Sequence, residues 1–378
     1  MKSFSITNYI ILFIILIVLG LLYRRFENKR VNEENIDNYK AIQKYLLDGV
    51  ELSKSKKPIL WLHVPHEYNA RNWTSFGSRS SMELNQPYLY LTVRSIMKHC
   101  DKSFTICIID DNSFSKLIPT WNINMSMVSD PVLCNVRTLG LMQLLYKYGG
   151  LICPISFLCI KNVMGLYNKG IQGHKMFVCE TTDRNITSTT NDFYPNVCFS
   201  GAPKECNMVK MFIDYISRTI SSDYTAESVF LGDFDRWIND KIQKNQINLI
   251  DGAEIGTKTS HGKPILLENL LSNNYLDIYS NTYGIYIPAN EILNRRNYEW
   301  FARLSEKQVL QSDTIIGNYI LVNTGEGSNL LEPLTPQRNK EIKKKYVGFW
   351  KTPEYPGLYG LKPNMLGDNL IKQSYTGR

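Results

Sequence analysis

The chain opens on an uninterrupted apolar run. Residues 4–23 read FSITNYIILFIILIVLGLLY, contain no charge, and are densest in apolar side chains from Ile10 to Leu22. About 20 residues in a helix cross a hydrocarbon core of roughly 30 Å, so residues 1–25 are expected to form a single transmembrane helix. No small-x-small cleavage site follows, and the run stops at Tyr23-Arg24-Arg25 like a stop-transfer edge. Residues 26–56 turn polar, with Ile42, Tyr45, Leu46 and Val50 on one helical face, which suits a juxtamembrane stem.

The pattern changes at Lys57. Ile59 to His63 is short and apolar, as a buried strand requires. The stretch from Pro65 to Glu83 is polar. Asn85-Gln86-Pro87 then predicts a helix start, with Asn85 as cap, Pro in the first turn, and Leu89, Val93, Ile96 and Met97 forming the apolar face. Phe104 to Ile109 reads as a second strand ending in the turn Asp110-Asp111-Asn112. Leu133 to Tyr148 has Leu141, Leu144, Leu145 and Tyr148 at helical spacing, stopped by Gly149-Gly150. Leu151 to Leu158 is apolar again. Lys175 to Cys179 and Val197 to Ser200 suggest further strands, Met208 to Ile220 an amphipathic helix, and Gly284 to Pro288 a last strand closed by a turn. The aromatic run Tyr298 to Arg303 is expected to pack on the core. Strand and helix alternate, which predicts an α/β domain with a mixed, mostly parallel sheet over residues 57–330. Residues 331–378, rich in Gly, Pro and Tyr, form an irregular tail.

Charge adds an orientation. Lys2 and the amino terminus precede the apolar run, whereas Arg24, Arg25, Lys29 and Arg30 follow it. The bias places the large domain on the cytosolic side of a single-pass membrane protein. Cysteine usage agrees: Cys107, Cys134, Cys153, Cys159, Cys179 and Cys198 sit in or beside apolar segments, without C-x-x-C or zinc spacing. They read as small buried hydrophobes in a reducing compartment. Sequons at Asn72, Asn124 and Asn185 would be silent there. The net charge of +8 is shared between the membrane-proximal segment and the run Arg338 to Lys345, which suits a solvated face or an anionic membrane surface. No nucleic-acid module is visible and the basic residues do not alternate with aromatics, so nucleic acid is not an expected partner.

One segment carries chemistry. Arg137 to Lys161 reads RTLGLMQLLYKYGGLICPISFLCIK. It resembles the DXD sugar-transferase family, the capsular-polysaccharide and mannan-initiation type of glycosyltransferase, whose helix ends in L-Y-K-Y-G-G before a strand carrying Asp-x-Asp. Leu145-Tyr146-Lys147-Tyr148-Gly149-Gly150 matches, and the resemblance extends over about residues 57–220. It implies a GT-A-like, Rossmann-related fold, a nucleotide-sugar donor, and a glycan or protein acceptor. In such enzymes a divalent metal, Mn or Mg, bridges the donor diphosphate and neutralises the leaving group.

The chain departs from that pattern where the chemistry sits. The Asp-x-Asp positions hold Pro154 and Ser156, and the polar positions of the preceding helix hold Arg137-Thr138 and Leu141. Pro154 lacks an N–H, so its strand is expected at a sheet edge or bulged. A metal is expected only if Asp110 or Asp111 replaces the lost pair. The candidate nucleotide-sugar residues are Asp110, Asp111, His63, Arg71, Arg79, Arg137, Gly149, Gly150, Ser156 and Glu180, the last placed after a strand. Arg71, Arg79 and Arg137 are the cations that would neutralise a diphosphate without metal. The weaker features are His63-Val64-Pro65-His66, with two His three apart after a strand, the loop Gly77 to Ser81, and Asp233-Phe234-Asp235, a literal D-x-D on a predicted helix. Two readings stay open. One is a membrane-anchored glycosyltransferase-like enzyme. The other is a catalytically inactive GT-A-like scaffold or interaction protein at a membrane. The Ile, Asn, Lys and Tyr bias fits an AT-rich genome such as that of a large DNA virus.

Overall fold

A computed structural model describes residues 57–65, 86–128, 132–182, 191–222, 232–295 and 297–324. The expected anchor over 1–25, the stem over 26–56, Arg71, Arg79, His66, the Gly77 to Ser81 loop and the tail over 331–378 lie outside them. Among the described residues no helix is long and apolar enough to cross a membrane.

The first strand, β1 (Ile59–His63), is followed by α1 (Pro87–Cys100), β2 (Thr105–Ile109), α2 (Ser113–Leu117), α3 (Val132–Tyr148), β3 (Gly150–Ile152) and β4 (Phe157–Cys159). Then come α4 (Met164–Gly170), β5 (Phe177–Thr182), β6 (Phe193–Ala202), α5 (Asn207–Ser221), α6 (Asp233–Gln243) and β7 (Asn248–Ile250). The last elements are α7 (Leu267–Leu270), β8 (Gly284–Tyr286), α8 (Ala289–Asn294), α9 (Glu299–Ala302), α10 (Glu306–Leu310) and α11 (Ile315–Thr324).

Six strands form one sheet in the order β2-β1-β3-β6-β5-β7. β6 runs antiparallel to both neighbours and every other pairing is parallel. The fold is α/β with a mixed, mostly parallel sheet, compatible with a Rossmann-like arrangement. β1 and β3 carry the apolar run of a buried parallel pair: Ile59, Leu60, Trp61, Leu62, Leu151 and Ile152 are all buried. α3 packs on α5 on one side of the sheet. α1 packs on β4, α10 and α11, and a second core gathers there around Tyr88, Leu158, Ile285, Tyr298, Trp300 and Phe301. The aromatic run near residue 300 is thus core, as its composition implied.

Local details correct the sequence reading. The N-cap of α1 is Gln86, with no side-chain cap bond; Asn85 lies outside the described residues. Tyr88, Leu91, Thr92 and Ser95 join Val93 and Ile96 in the buried face of α1, while Leu89 and Met97 are only half-buried. The apolar stretch 151–158 is divided between β3 and β4, with a turn between them. β3 is not an edge strand: it lies between β1 and β6 and ends at Ile152, so Pro154 falls in the turn after it and removes no ladder bond. Cys134 and Cys198 are exposed, and only the other six cysteines are buried.

Candidate functional site

In an open α/β sheet, ligands sit beyond the carboxyl ends of the parallel strands. β1 ends on His63, level with Ile109 of β2. This register brings His63 beside Asp111, two residues past the end of β2. α3 returns from the same edge and carries Arg137 near its start. Asp111 accepts hydrogen bonds from Arg137 Nη2 at 2.8 Å and Arg137 Nε at 3.1 Å, and from His63 Nε2 at 2.9 Å. The ring of His63 stacks on Phe114 with centroids 5.5 Å apart. The acidic partner of His63 comes from 48 residues away.

These three side chains are 10–13 % exposed. Burial pushes the Asp111 carboxyl up, but the hydrogen bonds and charges of His63 and Arg137 outweigh it and hold it at about 2. Asp111 is therefore ionised at neutral pH and His63 Nε2 carries the proton it donates. The two-pronged guanidinium contact neutralises Asp111 and engages the Nε–Nη2 edge of Arg137. Asp110 is committed elsewhere: its Oδ1 accepts from the Ser113 N–H at 2.9 Å and the Ser113 hydroxyl at 2.5 Å, and so caps the entry to α2.

The helix end that carries the family resemblance is a piece of scaffolding in every residue. Leu145 is buried. The Tyr146 carbonyl accepts the Glu205 N–H at 2.8 Å. Lys147 Nζ and Tyr148 Oη both donate to the Leu117 carbonyl, at 3.1 and 2.9 Å. Gly149 turns the chain at φ +71°, and its carbonyl accepts from Trp61 Nε1 at 3.0 Å. Gly150 enters the sheet at φ +108°.

Beyond β3 the turn over 153–157 is held from three directions. The Pro154 carbonyl accepts the Phe157 N–H at 3.0 Å, the Ile155 carbonyl accepts from the Thr92 hydroxyl at 2.6 Å, and the Ser156 carbonyl accepts the Ile287 N–H at 3.3 Å. Ser156, which the sequence resemblance sets against the second Asp of Asp-x-Asp, is buried at 4 %. An unpaired carboxylate there would be strongly disfavoured.

Glu180 lies inside β5, not after it, and on the far side of β6 from β3. It binds Lys258 Nζ at 2.5 Å and the Gly252 N–H at 3.1 Å, away from His63, Asp111 and Arg137. Asp233 and Asp235 occupy the first turn of α6, where acids favour a helix start; Asp233 is paired with Arg236. Among the described residues no group of three or more His, Cys, Asp or Glu side chains is arranged to hold a metal. Ser260, His261 and Asp277 also meet, but Ser260 and Asp277 both contact the same His261 nitrogen, Nδ1, and that side chain is 81 % exposed. A nucleophile-base-acid relay uses both ring nitrogens, so this is surface hydrogen bonding.

Sequence reasoning missed a cavity of about 220 Å³ at the same carboxyl edge. Its walls come from β5, β6, β8 and α8, elements separated by up to about a hundred residues with no motif between them. Comparison with protein-family models, with curated proteins and with solved structures gives no match.

Proposed function

We propose that this chain is a GT-A-like protein, fixed at a membrane by residues 1–25, that has exchanged metal-dependent sugar transfer for non-catalytic binding and serves there as a scaffold or interaction protein. The observation that carries this reading is the turn over 153–157. Where the resemblance calls for two metal-binding carboxylates, Pro154 and a buried Ser156 stand instead. Asp110 and Asp111, the two replacements, are occupied by a helix cap and by Arg137 with His63. The retained Leu145 to Gly150 segment fits the same reading, since each of its residues holds the fold.

A second reading has its own support. Arg137 lies at the ligand edge, and an open cavity shares that edge. In a metal-independent transferase, Arg137 would leave Asp111 to meet the donor diphosphate. Titration of the full-length protein in detergent with UDP-, GDP- and CMP-sugars, with and without manganese, separates the two. The scaffold reading expects no heat of binding and no nucleotide release. Manganese-stimulated turnover overturns it. Turnover without metal that disappears in an Arg137→Gln protein shown by its melting curve to be folded establishes the second reading.

For topology, protease added to sealed cytosol-side-out vesicles should digest the large domain. Its protection would reverse the orientation derived from Arg24, Arg25, Lys29 and Arg30.

A further inference from the structure

α3 packs along β6, and the Tyr146 carbonyl pins their ends together by accepting the Glu205 N–H at 2.8 Å. From Tyr146 back to Cys134 the helix rises about 18 Å. From Ala202 back to Cys198 the strand spans about 13 Å, and the turn over 203–205 adds to it. The two cysteines thus stand at similar heights on neighbouring elements, and both line one cavity of about 200 Å³. They are also the two exposed cysteines of the eight. The other six are buried, out of reach of a reagent in solution.

The cleft selects what enters it. Asp233 and Asp235 line it, and no Lys, Arg or His does among the described residues. Asp233 is held by Arg236, and Asp235 lies close enough to act on the charge of Cys198. An anionic reagent meets like charge there, whereas a small neutral one does not. The two thiols also differ. Cys134 stands in the first turn of α3, where the helix end favours an anion. Cys198 opens on the cleft but is hemmed in by protein on its other sides. That desolvation, with Cys134 and Asp235 nearby, pushes its thiol up to about 12. Cys134 is therefore the sulfur that attacks first, and Cys198 the one that follows.

We propose that this cleft is an oxidation site for hydrogen peroxide, which converts Cys134 and Cys198 into a disulfide linking α3 to β6. The Cys134 thiolate attacks one peroxide oxygen, the O–O bond breaks, and hydroxide departs to leave a sulfenic acid. Cys198 then gives up its proton and attacks that sulfur. The S–S bond forms, the S–O bond breaks, and the oxygen leaves as water. Two thiols and one peroxide give one disulfide and two waters: sulfur is oxidised and the peroxide oxygens are reduced. The bond would fix the turn of α3 that precedes Arg137. The site stands whether the chain is a scaffold or a transferase.

The test uses the full-length protein in detergent, purified reduced and then freed of reductant. Iodoacetamide should label two thiols in the folded protein and all eight after unfolding in guanidinium. After hydrogen peroxide the folded protein should lose both reactive thiols and two hydrogens of mass. Digestion should yield a peptide pair joined through Cys134 and Cys198, and dithiothreitol should separate it. In Cys198→Ser, dimedone should trap a sulfenic acid on Cys134. In Cys134→Ser, Cys198 should oxidise about tenfold more slowly, since it is seldom a thiolate at neutral pH. Oxidised glutathione, an anion, should link the pair more slowly than peroxide at the same concentration. Peroxide that leaves both thiols free, joins other cysteines, or carries Cys134 to the sulfinic acid beside an unreacted Cys198 overturns the proposal. Faster linkage by oxidised glutathione overturns it too. The decisive readout is on the wild-type protein, so a serine variant that fails to fold leaves the test intact.

Discussion

Arg137→Met should lower the unfolding free energy by about 3 kcal/mol, the usual range for stripping one partner from a largely buried ion pair. Met keeps much of the volume of the side chain, so the loss comes from charge more than from packing. Asp111, 13 % exposed, would keep only the His63 hydrogen bond. Asp111→Asn in the same background should recover part of the loss, because the uncompensated charge disappears with it; a double-mutant cycle in urea measures that coupling. The pH dependence has a fixed sign. The folded-state value of Asp111, about 2, lies below its ordinary 3.8. Its contribution to stability is therefore present above about pH 4 and is lost as pH falls toward 2. In Arg137→Met the carboxyl rises, so the acid transition should move to higher pH. In Asp111→Asn the wild-type decline between pH 4 and 2 should be shallower. An Arg137→Met protein as stable as the wild type would show that the cluster does not hold the edge of the sheet together, and would favour a ligand-binding role for Arg137.

The sheet and its helices are legible in the sequence because each element is announced by local chemistry. Ile59 to Leu62 has the unbroken apolar run of a buried strand, and Leu133 to Tyr148 has a helical repeat with two glycines behind it. Legibility ends where a residue's state depends on something far along the chain. Pro154 suggests an edge strand until the sheet order shows β3 ending before it. The acid that His63 meets is not a neighbour in sequence: the β1–β2 register delivers Asp111 to it from 48 residues away. Glu180 has the local setting of a cleft residue, but Lys258 and the Gly252 amide claim it from beyond β7. Thr181 gives no signal at all: a threonine among threonines becomes notable only when its hydroxyl is buried without a partner among the described residues. Composition and motif reveal which side chains can do chemistry, and register decides which of them are already engaged.

Gly150→Ala should abolish folding, the largest single-residue effect expected here. A Cβ at this position would lie 2.1 Å from the Ile59 carbonyl oxygen and 2.9 Å from its carbon. Both are backbone atoms of the neighbouring strand, so no side-chain rotation relieves the contact. The backbone also sits at φ +108°, outside what an alanine tolerates at low cost. β3 cannot shift to make room because β1 and β6 pair with it on its two sides. The expected loss exceeds about 4 kcal/mol, and the readout is loss of soluble, cooperatively melting protein. Gly262→Ala is the matching control: its φ is +81°, but nothing lies within 4 Å of the added carbon, so only the conformational cost of about 1–2 kcal/mol remains. The contrast bears on how the Leu145 to Gly150 segment is to be understood. Its two glycines are required by the close approach of β3 to β1 and by the turn that feeds it, whether or not a sugar is ever transferred. The segment is therefore accounted for by the fold alone, with no need of the carboxylates that the resemblance would place after it. If Gly150→Ala instead folds normally, the steric demand is absent, and a ligand at this edge becomes the better reason for the glycine.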